Sequence, residues 1–388
     1  MKLKKLCFVQ FNLGAISETF LDRHIELVQN DYEVFCITGK IENASVLKSG
    51  QIYNYTKQSL FSRYKNSIRM RLGLTSFHFA ENILKLVNQI KPDLIVFQFG
   101  FIPVLLEKEL HQIKYPYVVI HHGTDVNRAR KDIKYHKELL NVWKHASKII
   151  FISNFLKKVG LELGGPDKKM EVIPLGIPLN SSNEMSGKRI DNNKFKILTV
   201  GRLVPVKNHE FLIRAFSIFI KKKPNASLYI IGGGTDEAKL KLLVEDLNLR
   251  NDVYFLGSLP FQKVKKYLGD CDVVCLVSKK VTIEGVFQEE GLGLSLVEGA
   301  TFRKPIIGSS SGGISEIIEH QKTGLLIESD NLDELVNALE FIFENPKEAK
   351  EMGANAFKFA KDNFDQNKQI IKFKELYEGV IEQHFNLM

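Results

Sequence analysis

Three stretches in the second half of this 388-residue chain carry side chains suited to a phosphorylated ligand. The first is Gly201-Arg202-Leu203-Val204-Pro205-Val206-Lys207-Asn208. An Arg fork and a Lys point charge together suit a diphosphate, and Gly201 lets a backbone come close to a ligand. Taken alone, the stretch fits a solvated basic loop equally well. The second is Glu290-Gly291-Leu292-Gly293-Leu294-Ser295-Leu296-Val297-Glu298, with seven residues between its two glutamates. Carboxylates accept hydrogen bonds from sugar or ribose hydroxyls, and glycines ahead of a helix allow a phosphate near its N-terminus. Two surface glutamates flanking a turn are the alternative, weakened because Leu294, Leu296 and Val297 tie the stretch to a core. The third is Ser309-Ser310-Ser311-Gly312-Gly313-Ile314-Ser315-Glu316. It reads as a backbone nest for an anion or as an ordinary strand-to-helix turn. In the first half, His122-Gly123-Thr124-Asp125 closes an apolar run. Alternation points His121 to the opposite side of the strand from His122, and a structural histidine is the alternative to a functional one.

The elements that must carry these residues follow from hydrophobic runs. Strands are expected at Leu6–Phe11, Glu33–Thr38, Leu94–Gln98, Tyr117–His121, Lys148–Ile152 and Glu171–Pro174. A second set falls at Phe195–Val200, Ser227–Ile231, Val253–Leu256, Val273–Val277, Pro305–Gly308 and Gly324–Ile327. Amphipathic patterns between them predict helices, among them Ser17–Asn30, Phe77–Ile90 and Tyr135–His145. Leu332–Glu344, Pro346–Asp362 and Gln366–Gln383 close the chain. Strand then helix, repeated, predicts parallel sheets covered on both faces. The pattern stops in a polar stretch at 177–194 and then restarts. The reading is therefore α/β: two Rossmann-like, doubly wound domains, residues 1–176 and 195–365, facing a central cleft at the carboxyl ends of their strands. The last helix, about 366–388, is expected to pack back on the first domain.

Composition sets bounds. Hydrophobic residues make up 44% and charged residues 26%, a folded composition, and no apolar run approaches bilayer-spanning length. The N-terminal basic and apolar run is too short for a signal peptide. Cys7, Cys36, Cys271 and Cys275 sit in apolar runs without metal-ligand spacing, which predicts buried thiols in a reducing cytoplasm. The net charge of +9 fits anionic partners. Between Lys57 and Arg71, five cations (Lys57, Arg63, Lys65, Arg69, Arg71) stand without an acid, interleaved with Leu60, Phe61, Tyr64, Ile68 and Met70. Such a stretch can lie on an anionic membrane surface; a solvated helix face or mobile loop is the alternative. Nothing resembles a nucleic-acid recognition motif.

The ordered set of Gly-Arg-Leu…Lys207, Glu290-x7-Glu298 and Gly312-Gly313-Ile-x-Glu resembles the donor half of the retaining glycosyltransferases of family 4. His122-Gly-x-Asp125 matches the family's first half. Leu292 stands where the family usually has Phe, and Gly299-Ala300-Thr301 where it has Ala-Met-Ala; both bear on specificity. Gly14 with Ser17-Glu18-Thr19-Phe20, Ile150-Phe151-Ile152-Ser153 and Val281-Thr282 look like the exopolysaccharide enzymes of the colanic-acid and amylovoran type. The resemblance implies a GT-B fold and transfer of a sugar from a nucleotide diphosphate sugar, commonly a UDP-sugar, with retained configuration. The acceptor would be a saccharide or a polyprenyl-linked oligosaccharide in surface polysaccharide biosynthesis. It gives catalytic roles to His122, Arg202, Lys207 and Glu290. It gives donor contacts to Gly14, Gly201, Gly291, Leu292, Gly293, Leu294, Glu298, Gly312 and Gly313. No cofactor is expected: without an Asp-x-Asp motif, Arg and Lys replace a metal's charge. The expected location is cytoplasmic, peripheral on the inner face of the membrane.

Two other enzyme classes use paired Rossmann-like domains. A nicotinamide-dependent oxidoreductase would need Gly-x-Gly-x-x-Gly after the first strand, where this chain has Gly14 alone. Gly232-Gly233-Gly234 lacks the third spaced glycine. A nucleotide-sugar epimerase would need a stronger acid/base cluster.

Overall fold

The computed structural model describes residues 3–15, 18–47, 51–56, 77–179, 194–283 and 285–386. Ser17, the basic stretch 57–71 and most of the expected linker (180–193) lie outside the described residues. The chain divides into two compact units. One comprises Met1–Ile152, Leu156–Leu175 and Gln369–Met388; the other comprises Ser153–Phe155 and Gly176–Lys368.

The first unit is built on seven parallel strands: β1 (Lys5–Leu13), β2 (Glu33–Ile41), β3 (Gln51–Asn54), β4 (Leu94–Gln98), β5 (Tyr117–His121), β6 (Lys148–Phe151) and β7 (Met170–Val172). Their order is β3-β2-β1-β4-β5-β6-β7. β4 and β5 are buried along their whole length, which is why they read as unbroken apolar runs rather than alternations. The order reverses between β1 and β4, and a crevice opens at such a point beyond the carboxyl ends of the strands. Gly14 ends β1, and Gln98 ends β4. From Gln369 on, the C-terminal helix Gln366–Phe385 belongs to this unit. Its Tyr377 hydroxyl meets His24 Nε2 at 3.0 Å, and Glu378 accepts from Tyr32 and pairs with Lys4.

The second unit has six parallel strands: β8 (Phe195–Val200), β9 (Ala226–Ile231), β10 (Val253–Phe255), β11 (Val273–Leu276), β14 (Ile306–Ser309) and β15 (Gly324–Ile327), in the order β10-β9-β8-β11-β14-β15. A separate antiparallel hairpin, β12 (Val281–Ile283) and β13 (Val286–Gln288), stands between β11 and the Glu290 loop. Helix His209–Lys222 buries Phe211, Leu212, Phe216 and Phe219 against this sheet. Burying a side chain of that size stabilises by ~1.5–3 kcal/mol. At the opposite end of β8, Lys196 is buried and pairs with Asp270 at 2.7 Å. Here the order reverses between β8 and β11, the strands that lead into Gly201 and Ser278.

Candidate functional site

In the second unit the site is assembled from loops that leave the carboxyl ends of β8, β11 and β14. After β8, Gly201 donates its N–H to the Ile231 carbonyl, and Leu203 donates to Gly233. A β-carbon at Gly232 would stand 1.9 Å from the Gly201 oxygen. The triple glycine thus lets the end of β9 back the Arg202 loop, a packing duty and not a dinucleotide fingerprint. The loop then makes a short 3-10 turn, Pro205–Lys207, and Asn208 turns it into the helix with a left-handed backbone (φ 54°). The Asn208 amide is held by Asp330 at 2.9 Å. These constraints leave Arg202 exposed and aim Lys207 inward.

Lys207 Nζ lies 2.5 Å from Glu290 Oε2, and Ser278 Oγ donates to the same oxygen at 2.8 Å. Burial pushes the Glu290 carboxyl up. The Lys207 charge and hydrogen bond, the Ser278 hydroxyl and the nearby Arg202 charge outweigh it and hold the group below its ordinary value. A carboxylate and an ammonium, both largely buried, therefore neutralise each other at the switch point of the sheet. Downstream, Gly293 adopts a left-handed backbone (φ 98°) and caps the helix Leu294–Thr301 with no side-chain cap bond among the described residues. The first-turn N–H groups of such a helix favour an anion. Leu292 is buried, and Glu298 lies within the helix, half-buried.

The Gly312-Gly313 loop does not offer the anion nest expected of it. The Gly312 N–H donates to Glu289 Oε1 at 3.0 Å, and the Gly313 N–H donates to the Glu290 carbonyl at 3.0 Å. A β-carbon would stand 1.9 Å from the Glu290 oxygen at Gly312 and 2.3 Å from the Gly291 oxygen at Gly313. The two glycines are needed because the loop packs backbone to backbone against the Glu290-Gly291 turn. They fix the Glu290-Gly291 turn. Glu316, at the end of the same 3-10 turn, accepts from the N–H groups of Asn154 and Phe155.

The first unit presents a different kind of site. His122 follows β5, with Nε2 2.8 Å from Gln98 Oε1 and its ring between Phe20 and Phe99 (centroids 5.1 and 4.5 Å). Burial lowers the ring's pKa to about 3; the Asp125 charge opposes this and His121 adds to it. The imidazole is therefore neutral at physiological pH. His121 is fully buried, with Nδ1 2.7 Å from Asp125 Oδ2, and the Trp143 indole N–H donates to its Nε2 at 2.8 Å. An indole can only donate, so the ring proton faces Asp125. Asp125 also accepts from the N–H groups of Gly100, Gly123 and Val126. Burial pushes this carboxyl up, but the His121 ring and the Gly100 N–H hold it at about 2. Gly14 donates its N–H to Asp22 Oδ1 at 3.0 Å.

Residues 21–181 match the family model Glycosyltransferase Family 4, and residues 180–359 match the model Glycosyl transferases group 1. The chain belongs to the glycosyltransferases of the family 4 type. The amylovoran biosynthesis glycosyltransferase AmsK of Erwinia amylovora is 27% identical over 60% of this chain and 57% of its own. A GDP-mannose-dependent phosphatidylinositol monomannoside mannosyltransferase of Mycolicibacterium smegmatis is 24% identical over 62% of this chain and 64% of its own. The matches thus span about six-tenths of these relatives' lengths. Among solved structures, Anabaena HepE in complex with UDP superposes with a TM-score of 0.80 at 19% identity, over 97% of this chain and all of that one. The shared architecture is GT-B, two parallel-sheet α/β domains.

In this chain the sequence motifs land on loops at the carboxyl ends of strands, and the second unit brings Lys207 and Glu290 into direct contact. Ser278, Gln98 and the anchoring role of Asp125 escape motif reading. The available signal was a polar residue closing a buried strand: Gln98 ends β4, and Ser278 follows β11 just beyond Val277.

Proposed function

We propose that this chain is a retaining glycosyltransferase that moves a sugar from a nucleoside diphosphate sugar, with UDP as the nucleotide, to a saccharide or lipid-linked acceptor in surface polysaccharide assembly. The observation that carries it is the buried Lys207–Glu290 pair, flanked by Ser278 and the exposed Arg202, at the switch point of the second sheet. In this reading the diphosphate draws Lys207 and Arg202, with the uncapped N-terminus of helix Leu294–Thr301 contributing N–H groups. Glu290, released from Lys207, takes hydroxyls of the donor sugar. Glu298 takes the ribose hydroxyls, and His122 contacts the transferred sugar. The acceptor oxygen bonds to the anomeric carbon on the face the phosphate leaves. The carbon–phosphate oxygen bond breaks, and the acceptor proton passes to that departing oxygen. Charge developing on the diphosphate meets preorganised cations, so the reaction proceeds without a metal ion. The location is cytoplasmic, at an anionic membrane surface.

The test is a transfer assay with UDP- and GDP-sugars on polyprenyl-linked and free saccharide acceptors, with and without EDTA, and NMR of the product's anomeric proton. Turnover with a UDP-sugar, insensitive to EDTA and retaining in outcome, is expected. Turnover only with GDP-sugars overturns the choice of nucleotide, an inverted product overturns the mechanism, and loss in EDTA restored by Mg²⁺ overturns metal independence. Cosedimentation with anionic rather than neutral vesicles checks the membrane surface; equal recovery in both supernatants refutes it.

A further inference from the structure

Gln98 is a fully buried amide at the end of an otherwise apolar strand, and the motif-bearing residues leave it without a role. A buried primary amide is costly unless something uses it. Its Oε1 meets His122 Nε2 at 2.8 Å, while its own Nε2 has no hydrogen-bond partner among the described residues. His122 Nδ1 is likewise buried and has no partner among the described residues. The pair therefore makes one hydrogen bond with each other and leaves one polar atom each unused. The backbone between them is held under tension. Phe99, directly after Gln98, has a left-handed backbone at φ 72°, unusual for an aromatic residue. Its N–H is fixed to the Ile120 carbonyl, and the next N–H, Gly100, to Asp125. The same Asp125 carboxylate takes the Gly123 N–H, on the far side of His122. One buried anion thus pins both chain segments, and the Phe99 ring closes on His122 from the side.

We propose that Gln98 is a positioning residue that fixes the orientation and tautomer of His122. Its Oε1 accepts the Nε2 proton, leaving Nδ1 as the bare acceptor nitrogen of a neutral ring. Such a ring suits an uncharged hydroxyl and gives an anion no attraction. The proposal rests on the reading of His122 as a sugar contact. The titratable groups facing His122 are Asp125 and His121 on the β5 side and His24 on helix Thr19–Val28.

The experiment is ¹⁵N NMR of the histidine rings in the full chain, wild type, Gln98→Met and Gln98→Glu, with parallel kinetics. The wild-type His122 signals should report the Nε2–H tautomer without titration between about pH 5 and 8. Gln98→Met should lose the fixed tautomer and lower kcat by roughly ten- to a hundredfold, the cost of a misplaced group, with UDP affinity unchanged. Gln98→Glu supplies a carboxylate that holds the Nε2 proton, so His122 should titrate within that range and transfer should acquire the same pH dependence. An unchanged His122 spectrum and kcat in Gln98→Met overturns the proposal, as does a parallel loss of UDP affinity or a Gln98→Glu enzyme with a flat pH profile. His122→Ala is assayed separately. Wild-type transfer by that variant removes the sugar-contact reading, while the ring spectra still decide whether Gln98 sets the tautomer.

Discussion

The two units prepare polar groups for a ligand in opposite ways. Around His122 the Asp125 charge is locked away: Asp125 is consumed by the His121 ring and backbone N–H groups, and the His122 ring is neutral. Around Glu290 the charges are kept and set against one another, Lys207 against Glu290, with Arg202 exposed beside them. A neutral, rigid site suits uncharged hydroxyls, whose binding gives little energy to rearrange a protein. Under the proposed function a mutually neutralised ion pair suits an anion, because an arriving diphosphate would give Lys207 phosphate oxygens in place of its carboxylate partner and the desolvated ammonium would never be left bare. The glycine-rich turn meets the second site by packing against the Glu290-Gly291 turn, which keeps Glu290 in place.

The largest effect expected is on stability and belongs to the neutral site. Asp125→Ala leaves three backbone N–H groups and the His121 ring without their acceptor. It should destabilise the first unit by about 3–5 kcal/mol, the cost of breaking a buried charged network. Urea unfolding followed by Trp143 fluorescence reads this directly. A midpoint within a few tenths molar of wild type would show that the locked network is not what holds this site.

Next comes Lys207→Ala. If the cation stabilises charge developing on the diphosphate, kcat/KM should fall by roughly 2–4 kcal/mol, on the order of 30- to 1000-fold. Thermal unfolding should fall as well, because the buried Glu290 carboxylate keeps its bond from Ser278 but loses its counter-charge, so turnover is read at a temperature where the variant is folded. Near wild-type turnover in the folded variant would contradict the charge-exchange picture.

Glu290→Gln should separate the two halves of that exchange. Removing the carboxylate that competes for Lys207 is expected to tighten UDP binding by up to roughly tenfold, about 1.4 kcal/mol, while turnover drops. Calorimetric titration of UDP, with uridine as the uncharged control, measures it. Weaker UDP binding in the variant would mean that Glu290 positions Lys207 for the ligand and does not compete with it.

The smallest effect concerns Asp22, beside Gly14. Burial pushes its carboxyl up to about 6; the Gly14 N–H opposes this, and Glu26, Glu18 and Glu42 add to it. An acid whose pKa is raised on folding adds stability below its ordinary value, and that contribution is lost as pH rises through the folded value. The wild type should therefore lose stability relative to Asp22→Asn between about pH 4 and 6. His24, lowered to about 3 by burial, acts oppositely, its contribution falling away as pH drops below about 6.5, but it is common to both proteins. Parallel denaturation midpoints across that range would show that Asp22 is already ionised in the fold.

The sequence by itself determined the elements and the loops. Leu94–Gln98, Tyr117–His121, Phe195–Val200 and Gly324–Ile327 are strands with the bounds their apolar runs suggest, because a strand of a covered parallel sheet is mostly apolar, with Lys196, Gln98 and His121 each buried against a partner. The edge strand β3 and the hairpin β12–β13 were not legible: Gln51–Asn54 is short and half polar, and the hairpin belongs to neither main sheet. Sequence also put Arg202, Lys207 and Glu290 at the ends of strands, where a parallel sheet collects ligands. Only the tertiary structure decided who meets whom. Lys207 and Glu290 are 83 positions apart, Gln98 and His122 are 24, and local periodicity says nothing about either pairing. Strand order brings them together. It also spent the Gly312 and Gly313 N–H groups on Glu289 and Glu290, because a buried donor takes the nearest acceptor that packing supplies.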